Sequence, residues 1–275
     1  MHAIMAVAIY PRAETGAPVM TLAAESSVHV TEDQKRQYRE EGYFVLERAI
    51  PPQQLETLRN ECQRFIDVIN AEMDAEGVTV KGINHRDKRY FIARRHKDSQ
   101  QLRNFLFGQL MADVVRATVG PEAYLFVEQF VVKMAEVGMK FAWHQDSGYV
   151  GHPHPEYLSA WVAMDDMTEE NGTIYVLPYS RAGVRDTVKH LKEAGTNDMI
   201  GYHGDDPGVP VIVPAGTIVC FSSNTFHRSG FNTTKKPRRS YLCQYSPQPI
   251  LTKDGSKPWC DAVPFLKDGQ NIFKW

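Results

Sequence analysis

Trp143-His144-Gln145-Asp146 and, later in the chain, Phe226-His227-Arg228-Ser229-Gly230 are the stretches that decide how the rest is read. In an extended strand, residues two apart project from the same face, so the His144 imidazole and the Asp146 carboxylate can converge on one metal ion. A second imidazole, His227, supplied from another strand would complete a three-ligand set. The His-x-Asp spacing is weak evidence by itself, because it recurs in the chain: His85-Arg86-Asp87 and His203-Gly204-Asp205 share it with His144-Gln145-Asp146. Context separates them. His85 lies in a strongly charged stretch, and His203 lies in a Gly/Asp/Pro-rich loop between Gly201 and Gly208 where no strand would hold two side chains parallel. Only the middle pair is flanked by apolar and aromatic residues, with strand-like segments before and after.

On both sides of that motif the apolar residues follow a strand period. The candidates are 124–134, 140–144, 158–164, 173–177, 209–213, 217–221 and 240–245, with Pro214-Ala215-Gly216 read as a hairpin turn between two of them. The first third reads as helical. Thr31, with Gln34 three residues on, makes a capping-box start and Gly42 a stop, followed by a short strand over 42–46. Pro51-Pro52 opens a second helix whose apolar residues Leu55, Leu58, Cys62, Phe65, Ile66 and Ile69 recur at spacings of three and four up to Gly77. A third helix follows Asp98-Ser99, burying Leu102, Phe105, Leu106, Leu110, Val114 and Val115 before Gly120-Pro121. The pattern predicts a mostly β protein with flanking helices: a double-stranded β-helix, or cupin-like jelly roll, behind a helical N-terminal third. We divide the chain into a flexible tail over 1–27 and one domain over 28–275. That domain comprises a helical preface (28–120), a jelly-roll core (121–250) and a C-terminal tail (251–275). The polar segment 181–208 interrupts the strands, as a lid over the barrel mouth or a plain surface excursion.

With 275 residues, 43% of them hydrophobic, the chain can bury a large core. A net charge of −2 argues against a nucleic-acid binder. The cysteines Cys62, Cys220, Cys243 and Cys260 lack C-x-x-C spacing and read as reduced thiols of a cytoplasmic protein. No apolar run is long enough for a membrane span, and the opening run over 4–10 lacks the basic residues of a signal peptide.

Two His and one carboxylate on one face of an octahedron leave three positions open, the arrangement of non-heme Fe(II) oxygenases. Further motifs extend the pattern. Trp143-His144-Gln145-Asp146 is followed by the run from Trp161 through Asp165-Asp166 to Glu170-Asn171-Gly172-Thr173. Then come His227-Arg228-Ser229-Gly230-Phe231-Asn232 and Pro237-Arg238-Arg239. In this ordered set, covering most of 40–246, the chain resembles the phytanoyl-CoA dioxygenase family of Fe(II)- and 2-oxoglutarate-dependent oxygenases. The resemblance implies that His144, Asp146 and His227 bind Fe(II), that 2-oxoglutarate is the cosubstrate and O2 the oxidant, and that Arg238 pairs with the distal carboxylate of 2-oxoglutarate. A planar guanidinium suits that task. Adjacent strand residues face opposite ways, so only one of Arg238 and Arg239 can enter the barrel; family spacing selects Arg238.

The resemblance also places Ser229 near the cosubstrate carboxylate, Trp161 on the barrel wall and Lys133 in the pocket. Trp161 reads equally as a core aromatic. Lys133 shares a strand face with Gln129 and Val131, a face that is either solvated or a pocket wall with Gln129 against the substrate. An acidic residue at 146 implies hydroxylation or another oxidation, since related halogenases carry Ala or Gly there. Pro178-Tyr179-Ser180-Arg181 departs from the family's Pro-Gly-Ser-His, and His152 and His154 stand as alternative ligands in a proline-rich turn. Residues 81–97 carry seven Lys or Arg against one Asp, either a solvated face or, through Arg94, Arg95 and His96, a dock for an anionic substrate. The expected function is oxidation of a small molecule with release of succinate and CO2. The alternatives are a cupin-like Zn(II) or Mn(II) isomerase or hydrolase at the same triad, and a catalytically silent binding protein.

Overall fold

The computed structural model describes residues 27–136, 140–193 and 198–274. Apart from Ser27, the tail expected over 1–27 lies outside the described residues. Helix α1 (Glu32–Glu41) starts at the expected box, with the Gln34 amide donating to Thr31 Oγ1 and the Thr31 amide to Gln34 Oε1. It stops at Gly42, whose φ of 82° is left-handed. Strand β1 (Tyr43–Leu46) follows, then α2 (Pro52–Glu76), which buries the predicted stripe and Met73.

The preface is less purely helical than expected. It holds β2 (Val80–Lys81), β3 (Asn84–His85) and β4 (Arg89–Ala93). The third helix is two, α3 (Gln100–Leu106) and α4 (Gln109–Thr118), because the chain breaks at Phe107-Gly108. Phe107 is drawn out of the helical path into an aromatic cluster, stacked on Phe273 at 3.7 Å and edge-on to Phe265 at 5.4 Å.

The sheets are built from β5 (Ala123–Lys133), β6 (Phe141–His144), β7 (Leu158–Ala163) and β8 (Ile174–Leu177), then, after the short α5 (Tyr179–Ala182), β9 (Leu191–Lys192) and β10 (Met199–Ile200). The rest are β11 (Val209–Pro210), β12 (Ile218–Ser222), β13 (Phe226–Ser229), β14 (Arg238–Ser246), β15 (Val263–Lys267) and β16 (Gln270–Asn271). The major sheet runs β1-β12-β7-β14-β5-β4-β3-β2, with β15 and β16 attached at β5; the minor sheet runs β11-β8-β13-β6. This is the expected jelly roll.

Two expectations fail here. Pro214-Ala215-Gly216 does not close a hairpin: β11 pairs with β8 in the minor sheet and β12 with β1 and β7 in the major one, so the turn carries the chain between sheets. Turn chemistry is local, whereas sheet membership is decided by distant partners. Residues 251–275 are not simply a tail, because β15 pairs with β5 and buries Phe265 and Leu266.

Both faces of the major sheet are covered, which explains why all six residues of β7 are buried. The outer face packs against the helices: Phe130 and Val132 of β5 join Leu58, Phe65 and Val114. On the inner face Trp161, Val219, Phe221 and Leu242 meet Ile174 and Val176 of the minor sheet. The alternation of β5 therefore turns Gln129, Val131 and Lys133 inward.

Candidate active site

His144 ends β6, and its register partner on β13 is His227, so strand pairing sets the two imidazoles side by side, ring centroids 4.2 Å apart. Gln145 stays extended (φ −106°, ψ 141°), and Asp146 then opens a short 3-10 turn (Asp146–Tyr149). The two-residue spacing thus works although the strand ends between the two residues. Asp146 Oδ1 lies 3.5 Å from His227 Nε2 and 4.0 Å from His144 Nε2. Among the described residues this is the group able to hold a metal ion.

Each donor atom is freed by a bond behind it. His144 Nδ1 donates to the Ala142 carbonyl at 2.8 Å and His227 Nδ1 to that of Thr225 at 3.1 Å, which leaves both Nε2 lone pairs facing the site. Burial, reinforced by His227, holds the His144 pKa well below the usual histidine value, so the imidazole is neutral and ready to ligate. Asp146 Oδ2 accepts from Ser159 Oγ at 2.5 Å and Gln244 Nε2 at 2.9 Å, leaving Oδ1 for the metal.

The triad opens into a cavity of about 550 Å³ whose walls include Phe91, Gln129, Val131, Phe141, Trp161, Ser229 and Arg238. Arg238 is 1% exposed; it donates to Ser240 Oγ (2.9 Å) and the Gly172 carbonyl (3.0 Å), and its Nε has no partner. Burial lowers its pKa to about 10. Lys133, its register partner on β5, donates to Ser229 Oγ at 2.7 Å and to the Gly230 carbonyl. Burial, then Arg238, pushes the lysine pKa well below its ordinary value. No carboxylate forms an ion pair with either cation among the described residues, so the pocket is electrostatically prepared for an anion. Trp161 faces Arg238, ring centroid 5.8 Å from the guanidinium carbon. Gly172 closes this end: its φ is +75°, and a Cβ there would lie 2.6 Å from the Gly230 carbonyl oxygen.

Arg239 points out of the barrel and grips Asp165, with Nη2 to Oδ1 at 2.6 Å and the backbone amide to Oδ2 at 2.8 Å. The solvated-face alternative for Lys133 and Gln129 is excluded, since Lys133 is buried and Gln129 lines the cavity. The trio Arg94, Arg95 and His96 is not brought together. Arg94 reaches the cavity wall, bound to Asp261 at 2.9 Å, whereas Arg95 covers Phe65 and His96 is buried against Glu128. A left-handed Arg94 (φ 62°) and a 3-10 turn over Arg95–Asp98 replace the strand and turn the last two away. His152 and His154 do not reach the triad; their rings contact the Leu251 carbonyl and Ser147 Oγ.

Sequence reasoning missed Ser159 and Gln244, which act on Asp146 from 13 and 98 residues away with no local signal. It also missed Gln145. The Gln145 side chain donates to the carbonyls of Asp186 (3.0 Å) and Asn224 (2.7 Å) and accepts from the Val188 amide (2.9 Å), while its backbone amide donates to His190 Nε2 (2.9 Å). Its place between two ligands was the available clue. Through it, and through Gly201 N–H to the Trp143 carbonyl at 2.9 Å, the 181–208 segment is fastened to β6.

A jelly roll whose inner wall carries a His/Asp/His triad and a buried arginine defines the class of non-heme Fe(II)- and 2-oxoglutarate-dependent oxygenases. The phytanoyl-CoA dioxygenase family pattern matches residues 38–240, and the chain belongs to that family. Peroxisomal phytanoyl-CoA dioxygenase of Mus musculus is 25% identical over 236 residues, covering 78% of this chain and 68% of its own length. Ectoine dioxygenase of Bordetella parapertussis is 25% identical over 232 residues, covering 78% and 74%. Among solved structures, EctD from S. alaskensis with 2-oxoglutarate and 5-hydroxyectoine superposes with a TM-score of 0.65 at 21% identity, covering 86% of this chain and 85% of that one. The carbocyclase SnoK of nogalamycin biosynthesis gives 0.63 at 20%, covering 82% and 88%; these two show the shared fold. With the family goes the class: the chain is an oxygenase whose cofactors are Fe(II) and 2-oxoglutarate, with O2 as oxidant. The isomerase, hydrolase and silent-binder alternatives are left without support. All four cysteines are free thiols, and no helix among the described residues is long and apolar enough to cross a membrane.

Proposed function

We propose that this chain oxidises a C–H bond of a small molecule, by hydroxylation or a related outcome, while 2-oxoglutarate is converted to succinate and CO2. The observation that carries this reading is the convergence of His144 Nε2, His227 Nε2 and Asp146 Oδ1 in the wall of a cavity that also holds Arg238. In this reading the triad holds Fe(II). Bound iron supplies open coordination positions and the redox chemistry of O2 activation. Arg238 takes the distal carboxylate of 2-oxoglutarate by charge-assisted bonds, with Ser229 in the same cavity wall and Lys133 behind it, donating to the Ser229 hydroxyl. Trp161 packs near the guanidinium, and the apolar walls exclude water. Gln129 is the polar contact offered to the substrate, with Arg94 at the rim.

The relatives are named for different substrates, phytanoyl-CoA and ectoine, so family membership leaves this substrate open. Protein loaded anaerobically with Fe(II) and 2-oxoglutarate, then exposed to O2, should form succinate in proportion to bound iron. Turnover with Zn(II) alone and no succinate would overturn the reading.

A further inference from the structure

Arg89 projects from the inner face of β4 into the cavity wall and is 8% exposed. The register sets it opposite Lys133, and Lys133 opposite Arg238, so three buried cations stand side by side on neighbouring strands. Two of them are engaged, Arg238 with Ser240 and Gly172 and Lys133 with Ser229 and Gly230. Arg89 shares with Arg238 a buried Nε that has no hydrogen-bond partner, but among the described residues the rest of its guanidinium makes no hydrogen bond either, and its guanidinium carbon lies 5.6 Å from the Phe91 ring. A dicarboxylate cosubstrate held at the metal by one end presents a single distal carboxylate to this row. Asp198 also lines the cavity; burial raises its carboxyl pKa, with Arg89 and Lys133 pulling it back.

We propose that Arg89 receives an anionic group of the primary substrate, which is therefore a carboxylate joined to an apolar body. This deepens the function proposed above and rests on it. The body packs on Phe91 and Val131, register partners that both line the cavity next to Arg89. A buried guanidinium whose Nε has no acceptor costs free energy that a bound carboxylate recovers through charge-assisted bonds, which a neutral amide matches only weakly and an amine not at all. Arg89 is thus a specificity-determining residue.

The test uses the Fe(II)-loaded protein kept anaerobic with saturating 2-oxoglutarate, so that the cosubstrate site is filled first. Hexanoate, hexanamide and hexylamine are titrated, and binding is read from the fluorescence of Trp161 and Trp259, both of which line the cavity. Hexanoate should bind at least about tenfold tighter than the other two. Arg89→Gln should weaken hexanoate about ten- to a hundredfold and erase the preference, while 2-oxoglutarate affinity stays within about twofold. Arg89→Lys, which keeps the charge, should retain part of the preference and guards against a folding defect in the glutamine variant. Equal or absent binding of the three probes to the unaltered protein would overturn the proposal. So would an Arg89→Gln variant that loses 2-oxoglutarate affinity as much as hexanoate affinity, for then Arg89 belongs to the cosubstrate site. Failure of the unaltered protein to bind 2-oxoglutarate, seen before any probe is added, would instead bring down the underlying function and the proposal with it.

Discussion

Replacing Gln244 by Met preserves side-chain bulk and removes the amide that donates to Asp146 Oδ2 and to Ser159 Oγ, both at 2.9 Å. A hydrogen bond to a charged acceptor is worth about 1.5–3 kcal/mol, so its full loss would weaken metal binding about ten- to 150-fold. Asp146 keeps the Ser159 donor at 2.5 Å, which places the expected effect near the lower end, about tenfold. Ser159→Ala leaves the Gln244 donor and should cost a similar factor. The double variant leaves Oδ2 with neither donor, so its loss should exceed the sum of the two by about 1 kcal/mol. The assay is anaerobic competition for Fe(II) against a chromophoric chelator, with melting temperatures measured alongside. Fe(II) affinity within about twofold of the parent in both single variants would refute the idea that these residues aim the carboxylate.

Other outcomes follow from the same geometry. Arg238→Ala should raise the KM for 2-oxoglutarate about ten- to a hundredfold, while Arg239→Ala, which breaks the outward pair with Asp165, should change stability more than KM; the reverse pattern would reassign the anchor. Gly172→Ala should cost at least about 1–2 kcal/mol from its φ of +75°, lowering Tm by several degrees, and should raise the KM for 2-oxoglutarate as the carbonyl that holds Arg238 is displaced. In the metal-free protein His144, His154 and His190 all have pKa values lowered, with burial as the first cause. Their unfolded forms therefore take up protons first as pH falls through about 6.5, and stability, complete above that value, should decline below it by up to about 1.4 kcal/mol per pH unit for each such histidine. Urea midpoints that stay flat from pH 7.5 to 5.5 would contradict this.

What could be read in the sequence was what is decided locally. The Thr31 box, the Gly42 stop and the α2 stripe depend on neighbours within a turn or two, and β5 and β7 announce themselves as runs rich in apolar and aromatic residues. The split between α3 and α4 was hidden because apolar spacing runs unbroken from Leu102 to Val115, while its cause, the Phe107 stack on Phe273, comes from the far end of the chain. Sheet membership of β11 and β12 was hidden for the same reason. The metal triad was legible because two ligands share a motif. Arg94, Arg95 and His96 were adjacent in sequence yet scattered in space, because one left-handed residue redirects the chain.

Gln145 draws a boundary useful to anyone who remodels this enzyme. The 181–208 segment is hydrogen-bonded to the stretch that carries His144 and Asp146 at Asp186, Val188, His190 and Gly201, and three of these four bonds are made by backbone atoms of the segment. A foreign loop could supply the same backbone atoms whatever its side chains, whereas the imidazole of His190 sits between Gly148 and Gly201, where a Cβ would approach its ring to 2.5 Å. Grafts that keep 186–190 and 199–202 as a fixed seam preserve these bonds together with the Met199 amide on Tyr149, whose ring packs edge-on to His144, and grafts that cross the seam will shift Gln145 and, with it, both of its neighbours.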